Sequence, residues 1–152
     1  MSDSFTTNIY VFDFEFHPTN GIEGNSPDPV CMVVLDLNTG VTYRYFREQL
    51  QGMEEAPFDT GPDSLWIAFY AAAEMDCFIQ LGWSLPDNVL DLFVEFRNST
   101  NGLTLRYDRS LLGVMSHYGN SRQILQLDAN SLSYLAHICI CNDSQISTRR
   151  TG

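Results

Sequence analysis

The chain has 152 residues, 44% of them apolar, with 19 acids against 8 Lys and Arg and a formal net charge of −11. That length suits one domain with a core of its own, and the apolar content argues against global disorder. The acidic balance excludes a broad basic surface for non-specific nucleic-acid binding.

Tyr10-Val11-Phe12-Asp13-Phe14-Glu15-Phe16 opens the chain's organised part. Its aromatic and β-branched residues predict a strand. Alternation places Phe12, Phe14 and Phe16 on one face and Asp13 and Glu15 on the other. Neighbouring carboxylates in an apolar strand repel and lose hydration. A hard divalent cation held by oxygen ligands, Mg²⁺ or Mn²⁺, compensates for both costs; an edge strand with acids in water is the alternative.

His17 to Pro29, rich in Gly, Asn and Pro, reads as a loop. Val30 to Leu37 is a near-continuous apolar run, predicting a buried strand. Asn38-Thr39-Gly40 predicts a hairpin turn, and Val41 to Phe46 alternates as a third strand. Gln49 to Ser64 reads as a connection with one helical turn. Leu65 to Tyr70 predicts a buried fourth strand. Ala71 to Leu81 is alanine-rich and helix-favouring, with Met75, Phe78, Ile79 and Leu81 as its packed face and Gly82 as its stop.

Val89 to Leu92 predicts a short fifth strand running into a helix through Phe93, Phe96 and Arg97. Ser110 is a candidate N-cap for a helix carrying Leu111, Leu112, Met115 and Tyr118, closed by Gly119. A further helix is expected over Leu132 to Ile140, and 144–152 reads as a frayed tail. No repeat or linker interrupts the chain, so the expectation is a single domain over 1–152. The order β-β-β-α-β-α implies an α/β fold, a mixed sheet with helices packed on it. The acidic first strand should lie near the sheet's centre, in a ribonuclease H-like arrangement.

The cysteines are Cys31, Cys77, Cys139 and Cys141. Cys139-Ile140-Cys141 is not the spacing of common zinc sites, so free thiols are expected. Met1-Ser2-Asp3-Ser4 lacks the basic start of a signal peptide. No apolar stretch approaches the roughly 20 residues of a membrane span. The expectation is a cytoplasmic protein with no membrane partner.

The ordered set, Phe12-Asp13-Phe14-Glu15-Phe16, a meander, then a strand leading into Ala73-Glu74-Met75-Asp76, resembles the DEDD 3′–5′ exonucleases. It looks most like the proofreading domain of family A DNA polymerases. Asn88 to Leu92 followed by Glu95-Phe96-Arg97, and Leu111-Leu112 with His117-Tyr118-Gly119, extend the resemblance over roughly residues 8 to 119. It implies a DNA-binding hydrolase acting on the 3′ end of single-stranded DNA with two Mg²⁺ or Mn²⁺ ions. Such ions stand about 3.5–4 Å apart, activating a water and stabilising the leaving oxygen. By the resemblance, Asp13 bridges both ions, and Glu15 binds one and positions the water.

The third acid is Glu74 or Asp76. The family's aromatic-Asp pair aligns with Met75-Asp76, whereas Glu74 lies closer to the end of the preceding strand. The two stand roughly 200° apart around a helix, so they cannot face one metal together. The fourth acid is Asp143, at the end of Cys139-Ile140-Cys141-Asn142-Asp143, where Cys139 occupies the family's water-orienting Tyr position and His137 lies one residue too far upstream to replace it.

These departures support an alternative. The chain is then a catalytically impaired, acidic interaction protein on the exonuclease fold, an inhibitor of phage or mobile-element type docking on a DNA-processing enzyme. Asp91 reads as an acid near the site or a solvated strand end. Trp66 and Trp83 are base-stacking or core residues, with core packing favoured. His117 and Tyr118 are expected at the surface. Arg97, Arg106 and Arg109 contact phosphates or balance the acids.

Overall fold

The computed structural model describes residues 7–18 and 26–117. The chain divides into two compact units, Met1–Thr104 and Leu105–Gly152. In the first unit, β1 (Asn8–Pro18), β2 (Pro27–Asp36), β3 (Val41–Phe46), β4 (Ser64–Ala68) and β5 (Val89–Asp91) form one sheet in the order β3-β2-β1-β4-β5. The β1–β2 and β2–β3 pairs are antiparallel, and the β1–β4 and β4–β5 pairs are parallel. The fold is thus α/β with a mixed sheet, and the acidic strand lies at its centre as the order of elements implied. Among the described residues, three helices belong to the same unit: α1 (Arg47–Gln51), α2 (Ala71–Leu81) and α3 (Leu92–Ser99).

The core grows from the alternation in β1. Tyr10, Phe12 and Phe14 are buried with Met32 and Val34 of β2, Trp66 and Ala68 of β4, and Ala71, Cys77 and Phe78 of α2. Phe12 meets Trp66 and Phe78 edge-on at 5.1 and 5.9 Å between ring centroids, and Phe78 meets Trp83 at 5.4 Å. Edge-to-face contacts of this kind add to the large apolar area that aromatic rings bury. Both tryptophans are therefore core residues. Each spends its indole N–H on a backbone carbonyl, Trp66 on Asp59 at 2.9 Å and Trp83 on Met53 at 3.2 Å. Cys77 is buried and Cys31 half-buried.

Three sequence expectations change. The stretch from His17 to Pro29 is not all loop: β1 continues to Pro18 and β2 starts at Pro27. The β1–β2 register shifts between Glu15 and Phe16, pairing Glu15 with Cys31 and Phe16 with Pro29. A bulge and a strand's first residues are where a sheet accepts proline. β4 stops at Ala68, because Tyr70 turns into the left-handed region at φ 68° to start α2. Ile79 is 62% exposed, whereas Glu74 is only 5% exposed. The packed stripe of α2 runs through Ala71, Glu74, Cys77 and Phe78, the spacing of one helix face.

Gly82 ends α2 at φ 75°, its N–H reaching the Ile79 carbonyl at 3.0 Å. A Cβ built there meets nothing within 4 Å, so only backbone conformation opposes a side chain. Gly82→Ala should lower the stability of the protein by about 1 kcal/mol, read as a shift of the urea midpoint at unchanged slope.

In the second unit, α4 (Leu111–His117) starts at Ser110, whose Oγ accepts the Gly113 N–H at 3.1 Å. Ser110 is thus the N-cap that the sequence predicts. Tyr118, His137, Cys139, Cys141, Asp143, the expected helix over Leu132 to Ile140 and the tail 144–152 lie outside the described residues. Among the described residues, no helix is long and apolar enough to cross a membrane.

Candidate carboxylate site at the central strand

The site begins where β1 outruns its parallel neighbour. The β1–β4 pairing ends at Val11 and Ile67. Beyond that point the β4-facing edge of β1 has no strand beside it, and a buried backbone N–H there needs another acceptor. Glu74 supplies it. Its Oε2 accepts the Phe14 N–H at 2.7 Å in a buried setting. The helix that packs on the aromatic face of β1 thereby sends a carboxylate to the strand's unpaired edge.

Asp13 is the residue next to that amide, on the opposite face of the strand from Phe12 and Phe14. It is half-buried. Burial, and after it the charge of Glu15, push the Asp13 carboxyl up to about 6. Glu74 rises further, to about 9, first through burial and then through the charge of Asp13; the Phe14 N–H offsets part of the rise, and Glu15 adds to it. Both shifts run the same way, because each carboxyl would have to carry its charge in a buried setting with other acids nearby.

The five sequence-predicted acids separate accordingly. Glu74 reaches the β1 edge at the Phe14 N–H, and the charge of Asp13 acts on it. Glu15 is exposed but near enough for its charge to act on both. Asp76 is exposed, two residues further around α2. Of the two candidates for the third acid, Glu74 is therefore the one that reaches the strand. Asp143 lies outside the described residues. Among the described residues no group of three or more His, Cys, Asp or Glu is placed to hold a metal ion together.

Asp91 has a role that the sequence reading did not assign. It ends β5 and caps α3, its Oδ1 accepting the N–H groups of Phe93 at 2.9 Å and Val94 at 3.3 Å. The same carboxylate accepts the N–H of Tyr70 at 3.1 Å and of Ala71 at 2.9 Å, at the entrance to α2. One side chain thus serves the first amides of two helices, where orphan donors and the helix dipoles both favour an anion. It fixes the start of α2, one turn before Glu74. An Asp directly before the helical run Leu92-Phe93-Val94-Glu95 is an N-cap signal; its second set of partners, 20 residues away, is not visible in any local pattern.

Beside this tie lies an aromatic surface. Tyr70, 54% exposed, meets Phe93 at 5.6 Å between centroids, and Phe69 meets Phe93 at 5.5 Å. The Arg97 guanidinium carbon lies 5.7 Å from the Phe93 ring centroid. Arg97 is thus held against an aromatic face; in the second unit Arg106 lies over Tyr107 at 5.5 Å.

Two carboxylates of raised pKa, with no cationic side chain of the described residues among the charges acting on them, present oxygen donors of the kind that suit Mg²⁺ or Mn²⁺. They are two donors, short of the three or more that would hold an ion together among the described residues. Compared with known proteins, the chain matches no family model, no curated protein and no solved structure.

Proposed function

We propose that this chain is a metal-dependent 3′–5′ exonuclease domain, hydrolysing phosphodiester bonds at the 3′ end of single-stranded DNA on a ribonuclease H-like fold. The observation that carries the reading is the placement of Glu74, from the helix after β4, on the Phe14 amide of the central strand, next in sequence to Asp13, whose charge acts on it. The strand order with the acidic strand at its centre supports it, as does the ordered set of motifs. Asp13 and Glu74 would hold the ion, and Glu15 lies close enough in charge to join them; Asp143 is the proposed fourth acid. A bound divalent ion supplies charge neutralisation of the phosphate and a more acidic water. The chain's own contribution is to bury the two carboxylates in part or whole and to hold Glu74 through the Phe14 N–H.

The test is digestion of a 3′-labelled single strand with Mn²⁺. Asp13→Ala should reduce release of the terminal nucleotide by at least about 100-fold, the scale of losing several kcal/mol of transition-state stabilisation. Equal release by both proteins would remove the reading.

A second reading draws on the charge of −11 and on Cys139 in the water-orienting position. It makes the chain an acidic interaction protein docking on a DNA-processing enzyme. Calorimetric titration with Mn²⁺ separates the two. The exonuclease requires heat of binding that Asp13→Ala abolishes, whereas an interaction module needs none.

A further inference from the structure

The sheet ends on two strands of different kinds. On one side β5 is three residues long and closes on Asp91. On the other, β3 runs for six residues, and its outer side pairs with no strand among the described residues. An open edge offers N–H and C=O groups to any strand that approaches, and proteins blunt it with charges, proline, a bulge or brevity. β3 carries one charge, Arg44, and no proline. Its register with β2 runs unshifted from Cys31↔Phe46 to Asp36↔Val41. Every other residue of β3 is β-branched or aromatic, the types that favour strands. Tyr43 and Tyr45 rest against Phe58 at 5.0 and 6.5 Å between ring centroids, which holds the edge in place. At its two ends Val41 and Phe46 are each 45% exposed.

Charge narrows what this edge accepts. Leu37 to Arg47 contains two arginines and no acid, in a chain of net charge −11. A second acidic copy can approach here without setting carboxylate against carboxylate. Symmetry then fixes the pairing. In a two-fold antiparallel pair the same edge meets itself, and residues directly opposite point to the same side of the joined sheet. One residue must therefore face its own copy. If that residue is Arg44, two like charges stand opposite each other, which is destabilising. If it is Tyr43, Thr42 faces Arg44, Val41 faces Tyr45, and Phe46 faces Gly40. Aromatic and β-branched pairs of this kind support antiparallel strands, and a ring beside an edge glycine covers its bare backbone. The space around Gly40 is open, since a Cβ built there meets nothing within 4 Å.

We propose that β3 is a dimerisation edge, where two copies of this chain pair antiparallel about Tyr43 and join their five-stranded sheets into one. The proposal is independent of the exonuclease reading. It accounts for a regular, aromatic edge strand left with a single charge in a chain otherwise rich in acids.

Sedimentation equilibrium of the full chain at neutral pH tests it, with urea midpoints to establish that each variant is folded. The wild type should form a dimer that dissociates on dilution. Thr42→Arg sets two arginine pairs across the axis and should weaken the dimer about 10-fold; Thr42→Glu faces Arg44 twice and should tighten it by a similar factor. Thr42→Arg combined with Arg44→Glu restores opposite charges and should return the dissociation constant to the wild-type value or below, which a disturbance of the fold would not do. A wild-type chain that stays monomeric at concentrations on the order of 100 μM overturns the proposal. So does a dimer whose dissociation constant does not follow the charges at residues 42 and 44, because its contact then lies elsewhere.

Discussion

Glu74→Gln should stabilise the metal-free protein at pH 8 by an amount on the order of 3 kcal/mol, and at the same time abolish binding of Mn²⁺. The stabilisation follows from linkage. A carboxyl whose folded pKa lies near 9 keeps a proton that the unfolded chain gives up near 4.5. The folded state therefore binds more protons than the unfolded state across that window, and stability falls as pH rises through it. Asp13 acts in the same direction over the lower part of the range, up to about 6. Gln does not titrate, so the contribution of residue 74 becomes flat with pH, and the gap between variant and wild type widens from pH 5 to pH 8. The side-chain amide oxygen can still accept the Phe14 N–H that Glu74 accepts at 2.7 Å, so the edge of β1 stays satisfied. Urea midpoints in EDTA at the two pH values measure the effect; parallel pH dependence in the two proteins would refute it. Added Mn²⁺ should reverse the ranking, because an ion that binds only the folded wild type stabilises it in proportion to the logarithm of ion concentration over Kd.

The same pair of residues marks how far the sequence could be read. The central acidic strand, α2, its Gly82 stop and the Ser110 cap were all legible, because each rests on local chemistry: alternation, alanine content, a left-handed glycine, a hydroxyl before a helix. Glu74 was legible only as one of two choices. Of the predicted packed face of α2, Phe78 is buried and Met75 and Leu81 pack against the core, whereas Ile79 faces out. With Ala71 and Phe78 taken as the stripe instead, helical spacing carries Glu74 into the core and Asp76 out of it. What no local pattern holds is the end of β4. The β1 edge opens because Tyr70 leaves the extended region two residues after Ala68, and that turn is held from β5 by Asp91, far along the chain. Prolines at the start of β2 looked like loop punctuation for a similar reason, since a bulge between Glu15 and Phe16 that accommodates them is a property of the paired strands.

Asp91→Ala should cost about 2–4 kcal/mol, more than a single lost cap. An N-cap replaced by Ala costs about 0.5–2 kcal/mol; here one carboxylate serves the first amides of α3 and the entrance to α2 together, through Phe93, Val94, Tyr70 and Ala71. Its removal leaves those donors without their acceptor and takes an anion away from two helix N-termini, where the dipoles favour it. Asp91→Asn should fall between Ala and wild type, because an amide oxygen can take over the Oδ1 bonds but not the Oδ2 bond from Ala71 at 2.9 Å. The two variants together separate hydrogen bonding from charge in urea unfolding. The consequence for the site is distinct from the loss of stability. Asp91 holds the first turn of α2, and that turn sets where Glu74 reaches the edge of β1. Asp91→Ala should therefore weaken Mn²⁺ binding by calorimetry about 10-fold, the range seen when groups that orient metal ligands are removed. Gly82→Ala acts at the other end of the same helix and serves as the control, lowering stability while leaving Mn²⁺ affinity as it was. Equal affinity in Asp91→Ala and Gly82→Ala would show that the tie at β5 supports the fold without positioning the carboxylates.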